Sequence, residues 1–306
     1  MKADQVLKRY SENPILVPSN MPFPCSAVFN AGAVRFGNEY LLLLRVEDYT
    51  RRTDFYVATS RDGYNFEVRP EPVNYPLRKI EKEYTSDRFD MRITPLDGVY
   101  YVCHALWLKE LGCVIAMAKT DDFVNFEPLA VSVPSNRNAV LFPEKIGSRY
   151  VRLERPQDID GKGQMWISYS EDLKYWGDSA PVRTPATNWS LRKCGAGIVP
   201  IKTAHGWLEI YHATAYTAST LNYFLGAMLM DLQQPEKLIA APKEFLLAAQ
   251  EDYERVGQTP NVVFTCGAIE TDDGKLLVYY GGADTCVCVA ETTVEELVNF
   301  CLKSAN

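Results

Sequence analysis

Five times along the chain a glycine-bearing tight turn leads into a run dense in aromatic and branched residues. The five are FGNEYLLLLR (36–45), DGVYYVCHA (97–105), IGSRYVRLER (146–155), HGWLEIYHA (205–213) and DGKLLVYYGG (273–282). Each run has the length and side-chain character of one β-strand. A second short segment precedes each of them: FNAGAVR, FDMRITP, NAVLFPEKI, CGAGIVPIK and VFTCGAIE. The turn therefore joins two strands as a hairpin. A further marker recurs downstream, as SRDGYNFE, TDDFVNFE, SEDLKYWGD, the looser DLQQPEKLI and the closing ETTVEELVNF. These start at 60, 120, 170, 231 and 291, a mean step of about 58 residues. That step accommodates four strands with their turns, which is one propeller blade. The repeat predicts an all-β fold: a single five-bladed β-propeller over residues 1–306, one domain with a short C-terminal helix.

Other architectures fit less well. A doubly wound α/β fold needs amphipathic helices between its strands, and little 3.6-residue periodicity precedes residue 235. A β-sandwich has no need of five similar hairpins. Short helices are expected at 243–250 (KEFLLAAQ) and at 292–303, where Thr292 and Glu295 fit a capping box.

Composition narrows the partners. A net charge of −7 argues against nucleic acid, whose phosphates demand a basic face. No run approaches the length of a membrane span, and MKADQVLKRYSENP lacks the apolar stretch of a signal peptide, so a cytoplasmic location and no membrane contact are expected. Eight cysteines without CxxC spacing, most in apolar strand-like stretches, read as reduced core thiols. The 18 Tyr and 5 Trp suit a β protein or a sugar-binding one. His104, His205 and His212 lack metal-ligand spacing, and no nucleotide loop is present, so no metal and no resident cofactor are expected.

In a propeller the first strand of each blade lines the central channel, and function gathers at one of its mouths. Polar residues in these apolar first strands are therefore the candidates: Asn30, Asp90, Arg92, Arg137 with Asn138, Glu144, Lys193 and Asn261. A second set ends the following strands: Arg45, Arg155, His212 and Asp284. Each alone reads equally as a strand-end charge, a turn cap or a satisfied core histidine. Their recurrence in all five blades points to a shared site.

The segments FNAGAV, LLLRVE, DMRIT, SNRNAVLFPEKI with RLERP, KCGAGIVPIK, TPNVVF and YYGGADT resemble glycoside hydrolase family 130, the β-mannoside phosphorylases built as five-bladed propellers. The resemblance runs over residues 12–290. It implies inverting phosphorolysis: inorganic phosphate, as cosubstrate, displaces the non-reducing-end mannosyl unit of a β-mannoside oligosaccharide, giving α-mannose 1-phosphate. It further implies that Asp90 is the catalytic acid, acting through the mannosyl 3-hydroxyl. Phosphate falls to Arg137, Asn138, Arg155, Lys193 and His212, and the mannosyl unit to Asn30, Arg45 and Asp284. Asp62 is a further sugar candidate, although its Asp-Gly also reads as a turn.

A useful acid needs a raised pKa and few cationic neighbours, so Arg92 is expected to point outward; the structural alternative pairs Asp90 with Arg88 or Arg92. Glu144 is expected to be structural. Tyr49, Tyr84, Trp107 and Tyr216 are candidates for an acceptor site or for packing between blades. Phe89 and Met91 replace the Glu and Pro of the family's Glu-Asp-Pro-Arg form and leave the acceptor open. The chain is shorter than many members, so a homo-oligomer would form with reduced arms. The rival readings are a β-mannoside hydrolase, a carboxylate-rich five-bladed glycosidase and a non-catalytic carbohydrate-binding propeller.

Overall fold

The computed structural model describes residues 6–84, 86–158, 160–218 and 220–303. Five antiparallel sheets are arranged as the blades of a propeller. The N-terminal strand β1 (Lys8–Arg9) belongs to the last blade. Blade 1 holds β2 (Ala27–Phe36), β3 (Glu39–Glu47), β4 (Thr53–Ser60) and β5 (Glu67–Pro72). Blade 2 follows helix α1 (Lys79–Glu83) with β6 (Ser86–Leu96), β7 (Val99–Leu108), β8 (Gly112–Thr120) and β9 (Glu127–Val131). Blade 3 is β10 (Asn136–Leu141), β11 (Tyr150–Pro156), β12 (Trp166–Ser170) and β13 (Gly177–Pro181). Blade 4 comprises β14 (Lys193–Ala196), β15 (Ile201–Thr203), β16 (Gly206–Tyr216), β17 (Leu221–Met230), β18 (Leu238–Ala240) and β19 (Leu247–Ala248). After α2 (Asp252–Arg255), blade 5 has β20 (Val263–Glu270), β21 (Leu276–Gly282) and β22 (Cys286–Thr292), followed by α3 (Val294–Lys303).

The run LLLL in β3 shows why these strands are apolar on both faces. Side chains alternate across a strand, and both faces of a blade are covered. Leu41 and Leu43 pack on blade 2 with Met91, Ile93 and Val102, while Leu42 and Leu44 pack on blade 5 with Leu277, Tyr279 and Val289. Near the axis the first strands crowd together. A Cβ on Gly267 would sit 2.4 Å from the Ala33 nitrogen, so only glycine allows β20 to approach β2 so closely.

The recurring polar turns carry out one task. Asp62, Asp122 and Asp172 each accept backbone N–H groups two and three residues on, turning the chain from the third strand of a blade into the fourth. Asp231 does the same with Gln233 and Gln234. The fifth marker behaves differently. It starts helix α3, and its capping box is Thr293 with Glu296, one residue beyond the expected pair. The outer strand of blade 5 comes instead from the N-terminus, where Lys8 and Arg9 pair with Glu291 and Ala290. The helix expected at 243–250 is absent. Leu247 and Ala248 pair with β17, whose unpaired edge outweighs helix propensity there. All eight cysteines are buried free thiols. Among the described residues no helix is long and apolar enough to cross a membrane.

An ion pair with a buried carboxylate ties the N-terminal strand to α2, next to the ring closure. Arg9 donates from Nε to Glu254 Oε1 at 2.7 Å and from Nη2 to Glu254 Oε2 at 2.8 Å, and the Tyr280 hydroxyl donates to the same carboxylate. Glu254 is wholly buried. Arg9→Ala strands that charge and is expected to lower the unfolding free energy by about 3 kcal/mol in a urea titration. A loss below about 1 kcal/mol, the worth of an exposed pair, would show that closure does not depend on it.

Candidate active site

A bulge repeated in three first strands builds the site. The pairing register shifts between Phe29 and Gly32 in β2, between Phe89 and Arg92 in β6, and between Arg137 and Val140 in β10. Within these shifts Asn30, Asp90 and Asn138 take positive φ angles of 49°, 58° and 55°. Asn and Asp tolerate this left-handed backbone better than other side-chain-bearing residues. All three line one cavity of about 80 Å³, together with Arg45, Arg137, Arg155, Tyr223, Val262, Phe264 and Asp284.

Asp90 is buried at the centre. Its Oδ1 accepts from Asn30 Nδ2 at 2.9 Å and from Arg45 Nη1 at 3.3 Å, and its Oδ2 accepts from Arg137 Nη2 at 3.4 Å. The Arg45 guanidinium lies over the rings of Phe29 and Phe89, 4.2 and 4.7 Å from their centroids, which gives the aromatic next to Asp90 a packing role. Burial favours a protonated Asp90, yet Arg45, Arg137 and Arg92 outweigh it and hold the carboxyl below its ordinary value. The expectation of a raised pKa is thus corrected: the free protein carries an ionised Asp90. The partners also differ from the expected alternative, because Arg88 turns away to Glu81. Arg92 does not point outward. It is buried to 1% exposure and donates to the backbone carbonyls of Asp90, Ala196 and Gly197.

On the other side of the cavity the charge is positive. Arg155 forms no ion pair among the described residues; its Nη1 donates to His212 Nε2 at 3.0 Å. Burial and the neighbouring Arg137 push its pKa down to about 10. His212 stands behind Arg155, fully buried, with Nδ1 donating to the Ala196 carbonyl at 3.2 Å. Burial and Arg155 hold it well below the usual histidine value, so the neutral ring accepts from Arg155 through Nε2. It steadies Arg155 and does not itself line the cavity. Lys193 lies at the edge of this cluster at the start of β14. Burial, then Arg155, Arg137 and Arg192, lower its pKa to about 8. Buried polar atoms without partners among the described residues concentrate here: Arg45, Arg137 and Arg155 Nε, Asn30 Oδ1 and both amide atoms of Asn138. Such atoms mark a site built for a polar ligand.

Asp284 lines the cavity from the turn between β21 and β22, with φ at 50° and a carboxyl raised by burial. The cavity therefore holds two carboxyl groups, and Asp90 is not solitary. Asp62 is elsewhere. Its carboxylate is consumed by Ser60, Tyr64 and Asn65 in the β4–β5 turn, and it does not line the cavity, so it is corrected to a turn residue. Glu144 pairs with Lys202, outside the cavity. Tyr49, Trp107 and Tyr216 are exposed, whereas Tyr84 packs on Leu106 and its neighbours. Tyr223 and Phe264 escaped the sequence reading. Tyr223 lies on the third strand of its blade, where no channel residue was sought, and Phe264 is apolar.

Comparison with known proteins accords with this geometry. The sequence model of glycoside hydrolase family 130, described as β-1,4-mannooligosaccharide phosphorylase, matches residues 4–303. The β-1,4-mannooligosaccharide phosphorylase of Ruminococcus albus is 34% identical over 96% of this chain and 90% of its own length. The 1,2-β-oligomannan phosphorylase of Thermoanaerobacter sp. is 36% identical over 95% of this chain and 98% of its own. Among solved structures, the β-1,2-mannobiose phosphorylase of Listeria innocua, in complex with β-1,2-mannobiose, superimposes with a TM-score of 0.86. It is 28% identical and covers 97% of this chain and 99% of that one. The chain belongs to glycoside hydrolase family 130.

Proposed function

We propose that the protein is an inverting β-mannoside phosphorylase, acting on manno-oligosaccharides with inorganic phosphate as cosubstrate and with no resident cofactor. The observation that carries this reading is the buried Arg155, a guanidinium without a carboxylate partner among the described residues, clustered with Arg137 and Lys193. Three guanidinium groups line the cavity with two carboxyl groups, Lys193 stands at its edge, and an anion with several acceptor oxygens would satisfy the excess. Phosphate held there by Arg137, Asn138, Arg155 and Lys193 attacks the anomeric carbon, and the C–O bond to the acceptor breaks on the opposite face. Asp90 gives a proton to the leaving oxygen through a sugar hydroxyl, while Asn30, Arg45 and Asp284 hold the mannosyl unit. Bound phosphate draws Arg137 from Asp90 and adds negative charge, so the acid gains its proton in the ternary complex. A cytoplasmic location agrees with the eight free thiols.

The test is product analysis with β-1,4- and β-1,2-linked manno-oligosaccharides. Phosphate-dependent formation of α-mannose 1-phosphate is expected. Free mannose at a rate indifferent to phosphate would overturn the reading and favour hydrolysis, with Asp284 as the second carboxylate. A panel of acceptors offered with α-mannose 1-phosphate reads the linkage.

A pH effect follows from Lys193. In the free protein its ammonium deprotonates near pH 8, and a bound anion raises that value. Phosphate affinity should therefore decline as pH rises through about 8, because binding must then take up a proton. Phosphate KM measured from about pH 7 to pH 9.5 should climb. In Lys193→Met it should be high already at neutral pH and flat through that window.

A further inference from the structure

We infer that Arg92 is a positioning residue that holds the catalytic carboxylate and the phosphate cluster in one fixed relation. The inference rests on the phosphorolysis reading. Arg92 does not line the cavity, and no ion pair to it exists among the described residues. A buried guanidinium without a carboxylate is costly unless its donors are fully used. Here Nη1 donates to the Asp90 carbonyl at 2.8 Å, Nε to the Gly197 carbonyl at 2.9 Å and Nη2 to the Ala196 carbonyl at 2.9 Å.

These acceptors lie on both sides of the axis. Asp90 belongs to blade 2, and Ala196 and Gly197 to blade 4. The Ala196 carbonyl also accepts from His212 Nδ1, whose Nε2 accepts from Arg155. One line of hydrogen bonds thus runs from Asp90 through Arg92, Ala196 and His212 to Arg155, on blade 3. One end of the line is the proposed acid and the other a proposed phosphate ligand.

The anchors at both ends are stiff. Gly197 donates its N–H to Glu209 Oε1 at 2.8 Å, and a Cβ there would meet the Ile210 carbonyl at 2.3 Å. Asp90 sits in left-handed backbone at a bulge, a conformation that persists only where the surroundings impose it. Its carbonyl, gripped by Arg92, fixes the peptide and so the direction in which the carboxylate leaves the chain. A residue that merely filled the channel would need no such set of three directed bonds, and an apolar side chain would serve.

Arg92→Lys and Arg92→Gln in the full chain test this. Melting is measured with and without inorganic phosphate, and kcat and phosphate KM are measured well below the melting temperature of each variant. The expected result for Arg92→Lys is a folded protein with kcat reduced about 100-fold, the size of effect a small misplacement produces. Phosphate KM should rise about tenfold, with a smaller phosphate-induced shift in melting. Combination with His212→Gln should cost less than the product of the single effects.

A folded Arg92→Lys with wild-type kcat and KM overturns the inference, whatever its melting temperature. So does a fall in kcat with unchanged phosphate KM, which would confine Arg92 to the acid. If neither Arg92 variant folds, His212→Gln decides: the link requires kcat and phosphate KM to change together, and a change in KM alone overturns it. Failure of the functional reading is separately visible, as a wild-type protein that cleaves mannosides without phosphate. The effect of Arg92 would then be read on that hydrolytic kcat, where no change overturns it.

Discussion

Asp90→Asn is expected to reduce kcat for phosphorolysis by about 10³- to 10⁴-fold while the fold persists. The substitution keeps the shape, the left-handed backbone and an acceptor for Arg45, but the amide has no proton to give at the leaving oxygen. A second consequence separates this role from a structural one. In the wild type Arg137 is shared between Asp90 and the site assigned to phosphate. Removing the carboxylate charge frees Arg137, so phosphate should bind Asp90→Asn at least as tightly as wild type, even as turnover collapses. Loss of phosphate binding together with turnover would mean that Asp90 organises the cavity and is not its acid.

The pH behaviour adds a sign. Because the folded-state pKa of Asp90 lies below its ordinary value, its ion pairs stabilise the fold above the unfolded carboxylate pKa of about 3.9. That contribution is lost as pH falls through the lower, folded value. Asp90→Asn should lack this part of the acid transition.

Arg155→Met is expected to raise phosphate KM by about 100-fold or more, on the scale of a lost charge-assisted pair of bonds at a buried oxyanion. It should also raise the melting temperature in the absence of phosphate. The folded protein holds this guanidinium against burial and against Arg137, which push its pKa well down from the ordinary guanidinium value, to about 10. A depression of that size opposes the charged form by about 3 kcal/mol at neutral pH, and an apolar replacement recovers part of it. Added phosphate should stabilise the wild type and leave Arg155→Met unmoved. A variant that melts lower and still responds to phosphate would show that Arg155 is a strut and not an anion ligand.

Much of this architecture could be read along the chain. Four consecutive leucines in β3 demand apolar surfaces on both sides of a strand, and repeated hairpins at near-constant spacing leave few folds besides a propeller. Elsewhere local rules pointed the wrong way. KEFLLAAQ has helical propensity, but the open edge of β17 recruits Leu247 and Ala248 as a strand. The capping box stands one residue later than expected, because both frames, Thr292 with Glu295 and Thr293 with Glu296, satisfy its pattern.

Asp62 and Asp284 look alike in sequence, each a short carboxylate next to glycine or a tight turn. Only position tells them apart, since one turn faces the rim of a blade and the other faces the channel. Tyr223 was invisible for the converse reason: nothing local marks a third-strand tyrosine as reaching the axis.

Asp90 shows the division most sharply. That a carboxylate stands in the channel was legible from its place in a first strand, and a catalytic role for it is what the resemblance of DMRIT implies. Its charge state was not, because an ionisable group answers to whatever lies within a few ångströms, and those neighbours are dispersed. Asn30 and Arg45 come from blade 1, Arg137 from blade 3, and the carbonyls that hold Arg92 from blade 4. Local sequence determined most of the strands and turns, since each depends on residues a few positions apart. Closure of the ring decided which groups meet, which are ionised and which only hold others in place. Those properties depend on distances across the axis between residues far apart in the chain, as Asp90 and Gly197 are, which meet through Arg92.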